Sequence, residues 1–258
     1  MLAGWVGPAD RWERFETEWS AILEMKPRVE YFKYSEAIGF HGQFNGISAP
    51  SRTEKLKLLI NLISEFGLVG ISASIPHRVF QGWFRYAPPP FNNSYLVMFY
   101  GVISRLLRYV NSIGYEGKVE LVFDTQSDQV AKVQAIWDEF VSAAPREFVP
   151  LLGDPPLFRD DKRTIALQAA DMHAGWLREM NTAVELGKPI PEPLWHPAGE
   201  HIRREYNFME WWHAAETFVR LFGANPITYS FGEGTELSVP PRLHLPAWPL
   251  RNLSARQG

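Results

Sequence analysis

Cysteine is absent from the 258 residues. That excludes a disulfide scaffold, cysteine–zinc sites and thiol catalysis together, and it agrees with a reducing cytosol. Long apolar runs are also missing. The longest, Tyr95 to Ile103, falls far short of the roughly 20 residues that a membrane helix needs. Asp10, Glu13, Glu16 and Glu18 crowd the first twenty residues, where a secretory leader would be uncharged and apolar. The chain therefore reads as a cytoplasmic protein with no membrane partner. An excess of charge of one sign is lacking too. With 26 Lys+Arg against 29 Asp+Glu, the net charge is −3. This argues against a strongly basic coat for nucleic acid, though not against a local basic groove.

Several familiar motifs are missing as well. There is no P-loop and no glycine-rich dinucleotide fingerprint. Gly70-Ile71-Ser72-Ala73-Ser74 fails as a nucleophile elbow, because Ser74 stands where glycine is needed. His196, Glu200, His201 and His213 do not make a zinc motif. The run from His196 to His201 has one residue too many for the inverted zinc-protease pattern, and Pro197 interrupts any helix that would align the ligands.

What remains is an ordinary globular composition, 46% hydrophobic and 21% charged, able to bury a core. Ten Trp, nine Tyr and 17 Phe fill that core or, at exposed positions, stack on bases or sugars. Leu2–Val6 reads as a strand that Gly7-Pro8 ends. Asp10 and Glu13 predict a capping box for a helix carrying Trp12, Phe15, Trp19, Ile22 and Leu23, closed by Pro27. Residues 28–50 show no clear period. A second capping box, Ser51 with Glu54, predicts a helix as far as Gly67. Further strands are expected at Leu68–Ile75, Val119–Phe123 and, weakly, Phe148–Leu152. Helices are expected at about Asn93–Ile113, from Ser127 or Asp128 to Phe140, at Thr164–Asn181 and at Ala198–Phe222. The Pro-rich tail after Glu236 is expected to wrap the surface or to be partly disordered. Alternating strands and helices imply an α/β mixed sheet flanked by helices. One domain is expected, with residues 1–185 forming its α/β body and 186–258 a helical extension and tail.

Three places could carry chemistry. Asp124 ends a mostly apolar strand just before a helix. Open α/β sheets bind ligands outside such strand ends, and an acid there either holds Mg²⁺ through oxygen or caps the following turn. Gln168 and Asp171 stand three apart and so share one face of a helix. Ala169, Ala170, Ala174 and Gly175 surround them, and such small side chains let a helix approach a sheet closely. A charged Asp there is costly unless paired, hydrogen-bonded or metal-bound; otherwise it lies at the exposed border of the helix. Asp160-Asp161-Lys162 has the acid–x–Lys spacing of half a restriction-endonuclease metal site. The matching upstream Pro-Asp is missing, and a charge cluster at a helix start is the plainer account.

These residues carry a resemblance. Leu2-Ala3-Gly4-Trp5-Val6-Gly7-Pro8 running into Trp12, Phe15 and Trp19 is similar to the front of the bacterial domain-of-unknown-function family 3800. Asp161-Lys162 followed by Leu167-Gln168-Ala169-Ala170-Asp171 resembles that family's Gln-x-x-Asp helix, and Asp124 matches its middle acid. The resemblance covers about residues 1–185. It implies the ribonuclease H fold and a divalent-metal-dependent nuclease acting on RNA or DNA. Asp124 and Asp171 would then bind Mg²⁺ or Mn²⁺, Gln168 would orient a ligand or a phosphate-bound water, and Lys162 would contact phosphate. The sequence departs from the pattern at the front. Family members carry an Asp-Glu-Ser strand ahead of the Ala-Gly-Trp-Val segment, and here Met1 stands almost inside that segment. Either the true start lies upstream of Met1 or another element covers the gap, or the chain has lost catalysis. In the last case a non-catalytic nucleic-acid-binding or regulatory protein keeps the fold only. Glu36 is the nearest unassigned acid in the amino-terminal part.

Overall fold

Backbone pairing begins at the first residues. Strand β1 (Leu2–Val6) runs antiparallel to β2 (Val69–Ala73), with Leu2 opposite Ala73 and Val6 opposite Val69. The computed structural model that gives this pairing describes residues 1–75, 77, 80–85, 87, 89–125, 127–189, 227–231 and 235–239.

Three helices lie between β1 and β2. Helix α1 (Ala9–Glu24) follows Pro8 and buries Phe15, Trp19 and Leu23 at four-residue spacing. Its start differs from the expected capping box. Asp10 lies inside the first turn, where its charge meets the positive end of the helix dipole. At the other end Lys55 donates to the carbonyls of Ile22, Leu23 and Met25, acceptors that a helix end leaves open. Helix α2 (Tyr34–Gly39) lies in the stretch with no readable period; it is six residues long, too short to show one. Helix α3 (Ala49–Glu65) starts ahead of the expected cap. Ser48 accepts the Ser51 N–H, and Pro50 occupies the first turn, where its missing donor costs nothing. Gly67, at φ +60°, turns the chain into β2.

Helix α4 (Ser94–Ser112) is capped by Asn93, whose side chain accepts from the amides of Tyr95 and Leu96. Strand β3 (Val122–Asp124) carries Asp124 as its last residue, and helix α5 (Ser127–Ala143) follows. The strand expected at Phe148–Leu152 is instead a 3₁₀ turn at Val149–Leu151 with Pro150 inside it. Proline removes a ladder donor, and one parallel bridge, Val119 to Leu152, remains. Strand β4 (Leu157–Arg159) escaped the sequence reading. Three residues are too few for an alternation to register, and Pro155-Pro156 precede them. It pairs parallel with β3, Asp124 opposite Arg159. Helix α6 (Ile165–Glu185) follows. Strands β5 (Ile227–Phe231) and β6 (Thr235–Val239) form an antiparallel pair where a helical extension was expected. The helix expected at Ala198–Phe222 lies outside the described residues, as does the tail beyond β6.

The architecture is mixed α/β, with three two-stranded sheets in place of one larger sheet among the described residues. The chain divides into two compact units, a division different from the expected 1–185 and 186–258. One gathers Met1–Ala73 with Val102–Asn207, the other Ser74–Gly101 with Phe208–Gly258. No helix among the described residues is long and apolar enough to cross a membrane.

The first unit is built on an aromatic core. Phe15, Trp19, Phe32 and Phe44 pack with Leu56, Leu59 and Ile63 of α3 and with Ala169 and Met172 of α6. The expected close approach of the small-residue helix to a strand is present. A Cβ on Gly4 would stand 3.9 Å from the Cβ of Ala170. Trp5 donates its indole N–H to the Ala169 carbonyl at 2.9 Å and stacks on His173 at 4.5 Å. The His173 Nδ1 in turn lies 3.2 Å from the Gly4 carbonyl.

Candidate functional site

The Gln168–Asp171 face of α6 receives an extended piece of chain. Gln168 Oε1 accepts the Phe32 N–H at 3.0 Å, and Asp171 Oδ2 accepts the Tyr34 N–H at 2.7 Å. Two side chains three apart on a helix thus serve two amides two apart on an extended segment, doing the work of a neighbouring strand. Asp171 is therefore hydrogen-bonded rather than simply exposed at a helix border. Gln168 has further partners. Its Oε1 accepts the Trp19 indole N–H at 3.2 Å, and its Nε2 donates to the Lys162 carbonyl at 3.2 Å. Only 2% of the residue is exposed. The amide therefore fastens the Phe32–Tyr34 segment and the loop before α6 to one point.

That common fastening brings Lys33 to Asp161. The Lys33 Nζ lies 2.6 Å from Asp161 Oδ2, with 34% and 16% of the two side chains exposed. Asp161 follows β4, and Asp124 ends the strand paired with β4. The Thr125 N–H donates to the Arg159 carbonyl at 2.9 Å, and the backbone amides of Thr125 and Asp161 act on the Asp124 carboxyl electrostatically. A path of contacts therefore runs from Asp171 through Tyr34 and Lys33 to Asp161, and Asp124 lies on the strand paired with β4 just before it. The loop that holds Asp161 is itself tied down, since Asp160 Oδ1 accepts the Lys162 N–H at 2.9 Å and the Asp160 carbonyl accepts the Arg163 N–H at 3.1 Å.

The electrostatics follow from this crowding. Burial raises the Asp124 carboxyl above its usual range, and the like charge of Asp161 adds to the rise. Lys33 and the two amides pull the other way. Burial also raises Asp171, opposed by the Tyr34 N–H and by Lys33. The Lys33 ammonium is held above its ordinary value, first by its hydrogen bond to Asp161 and, beyond that, by the charges of Asp161, Asp171 and Asp124. All three acids act on one cation.

Carboxylate oxygens are the donors that Mg²⁺ and Mn²⁺ prefer. The donor chemistry fits a hard divalent cation. The placement does not follow: among the described residues no group of three or more His, Asp or Glu side chains is placed to hold a metal ion.

The remaining candidates sit around this cluster. Lys162 is exposed, and its Nζ lies 5.0 Å from the centre of the Tyr31 ring. Glu36 closes its own loop, accepting from the Tyr31 hydroxyl at 3.1 Å and the Gln43 amide at 2.7 Å. His196, Glu200, His201 and His213 lie outside the described residues. Lys33 was missed by sequence reasoning, because an extended segment between two irregular stretches has no period to betray it. Asp161 stands in the sequence reading both in the acid–x–Lys half-motif and in the family-3800 resemblance, with no role of its own assigned to it. Comparison of the chain with protein-family models, with curated proteins and with solved structures finds no match.

Proposed function

We propose that the chain is a divalent-metal-dependent nuclease that cleaves phosphodiester bonds of RNA or DNA, with the ribonuclease H-like fold of domain-of-unknown-function family 3800. The observation that carries this reading is the Lys33–Asp161 ion pair at 2.6 Å, set beside Asp124 and Asp171, whose carboxyls burial raises. The three acids come from a strand end, a loop and a helix, far apart in the chain. Bringing like charges together out of water is unfavourable for folding, and such arrangements are typical of functional sites. When bound, Mg²⁺ or Mn²⁺ would stabilise the attacking and leaving oxygens of the displacement. Asp124 and Asp171 would hold the ion, and Asp161 adds a third carboxylate. Gln168 is a positioning residue that fixes the Phe32–Tyr34 segment and the loop carrying Asp161. Lys162, exposed beside the cluster, is free to meet a phosphate.

The test is incubation of the full chain with labelled RNA and DNA oligonucleotides in Mn²⁺ or Mg²⁺, followed on gels. Cleavage is expected with metal and not with chelator. Asp124→Asn and Asp171→Asn should each lower it about 100-fold or more, roughly 3 kcal/mol of barrier. Metal-independent cleavage, or variants as active as the parent, would overturn the reading.

One observation favours a second reading, a non-catalytic nucleic-acid-binding or regulatory protein: among the described residues no group of three or more acids or histidines is placed to hold a metal ion. On that reading oligonucleotide binding, followed by fluorescence anisotropy, persists in chelator and weakens with salt as phosphate contacts do. It also survives Asp171→Asn.

A further inference from the structure

We infer that Tyr31 and Lys162 form a contact pair for single-stranded nucleic acid, with a base face on the phenol ring and a phosphate on the ammonium. The inference rests on the nucleic-acid reading above and names the form of the substrate. It does not depend on how a metal is held.

One buried amide assembles the pair. Gln168 Oε1 accepts the N–H of Phe32, the residue after Tyr31, and Gln168 Nε2 donates to the carbonyl of Lys162. The ring is fixed at its far end as well. Its hydroxyl donates to Glu36 Oε1 at 3.1 Å, and Glu36 Oε2 accepts the Gln43 N–H at 2.7 Å. Gln43 Oε1 in turn accepts the N–H of Glu30, the residue before Tyr31, at 2.8 Å. These bonds hold the ring at the surface. Phe32 and Tyr34 are both 2% exposed, whereas Tyr31 between Glu30 and Phe32 is only half-buried and stands outside the aromatic core. Lys162 is set in the opposite way. Its backbone is tied down, since Asp160 Oδ1 accepts its N–H at 2.9 Å, but its side chain is loose. That side chain is exposed and makes no ion pair among the described residues. Its Nζ rests 5.0 Å from the Tyr31 ring centre.

A fixed ring beside a mobile cation matches one nucleotide. Any base can stack on an aromatic ring, but in a duplex each base face is already covered by its neighbour. Only an unstacked strand offers a free face. Holding the ring in place lowers the ordering cost of binding. The ammonium, on a flexible four-carbon stem, gives up the ring to the base and swings to the phosphate. Lys33, two residues beyond Tyr31, is ion-paired with Asp161, the residue before Lys162. A strand on this pair therefore runs beside the acidic cluster.

The experiment is fluorescence anisotropy of the full chain in chelator. The probes are a labelled single-stranded DNA of about 12 nucleotides, within the usual range of site sizes, its duplex, and an abasic strand of the same length that keeps the phosphates and lacks the base faces. The parent should bind the single strand more tightly than the duplex, and the abasic strand about tenfold more weakly, the size of one lost stack. In Tyr31→Ala the difference between base-bearing and abasic strands should vanish, and in Tyr31→Phe it should persist. Lys162→Met should lower the slope of log affinity against log salt by about 0.7, one phosphate on a single strand, while Tyr31→Ala leaves that slope unchanged. The abasic comparison uses the unaltered protein, so misfolding of a variant does not blur it. Equal binding of base-bearing and abasic strands by the parent, preference for duplex, or a difference that survives in Tyr31→Ala would each overturn the inference. So would a parent that binds none of the probes. If Mn²⁺-dependent cleavage is nonetheless seen, the nuclease reading stands without this pair, and if cleavage is absent too, both fall.

Discussion

At the scale of single residues, the acids are held where a carboxylate is uncomfortable. Asp124 has a carboxyl raised by burial and by Asp161. A raised carboxyl protonates more readily in the folded chain than in the unfolded one. Its charge therefore subtracts from stability at neutral pH, and the loss is relieved as pH falls through the folded value toward 3.8. Asp124→Asn should accordingly raise Tm at pH 7, by roughly 1–3 °C once solvent screening is allowed for. The gain should shrink as the pH approaches 4. Thermal unfolding of both proteins across that range is the check, and a lower Tm for the variant would mean that Asp124 is a structural cap. Asp124 and Asp171 were legible as candidates, since a strand end and a helical spacing both leave marks in sequence. Gln168 was legible only as a position. Its partners Trp19, Phe32 and Lys162 come from three other parts of the chain, and long-range packing of that kind leaves no local trace. Lys33 was invisible for the same reason.

At the scale of elements, the pairing of α6 with the Phe32–Tyr34 segment is unusual in its acceptors. Backbone amides in extended chain normally find a neighbouring strand; these two find side chains. Amide exchange at Phe32 and Tyr34 therefore reports on two particular residues of α6. With Asp171→Asn, the Tyr34 N–H loses a charged acceptor, and such bonds are roughly twice as strong as neutral ones. Exchange at Tyr34 should speed up while that at Phe32 changes little, as measured by nuclear magnetic resonance. Equal acceleration at both would show that the segment detaches as a whole. The helices were the most readable elements, because α1, α3, α4 and α6 are long enough to display a period. Their starts were less so: Ser51 and Ser48 are both plausible caps, and Pro50 between them settles the matter in favour of Ser48. The strands β4, β5 and β6 were missed. Three-residue β4 falls below any pattern length, and β5 and β6 are joined by a Gly-containing link in a region read by its prolines.

At the scale of the molecule, one buried group ties stability to pH. His173 is 3% exposed, and burial pushes its imidazole down to about 4 from 6.5. A lowered histidine favours the folded state fully above the unfolded value, and that contribution is lost as pH falls from about 6.5 toward 4. The full window is worth on the order of 3 kcal/mol. Because His173 joins α6 to β1 through Trp5 and Gly4, the loss should appear as global weakening of the first unit. Urea unfolding at pH 7 and pH 5 should show it, and His173→Gln should flatten the difference. An unchanged slope would place the acid sensitivity elsewhere.

The sheets carry a consequence of another kind. Among the described residues three two-stranded sheets have six outer edges, where one six-stranded sheet would have two. On the parallel pair, Val122 and Leu157 stand opposite each other with 36% and 38% of their surfaces exposed. Unpaired edges recruit strands from other chains, and a net charge of −3 supplies little long-range repulsion to prevent it. Light scattering of concentrated solutions is therefore expected to report self-association at these strand edges, reduced by a bound extended peptide or by added charge.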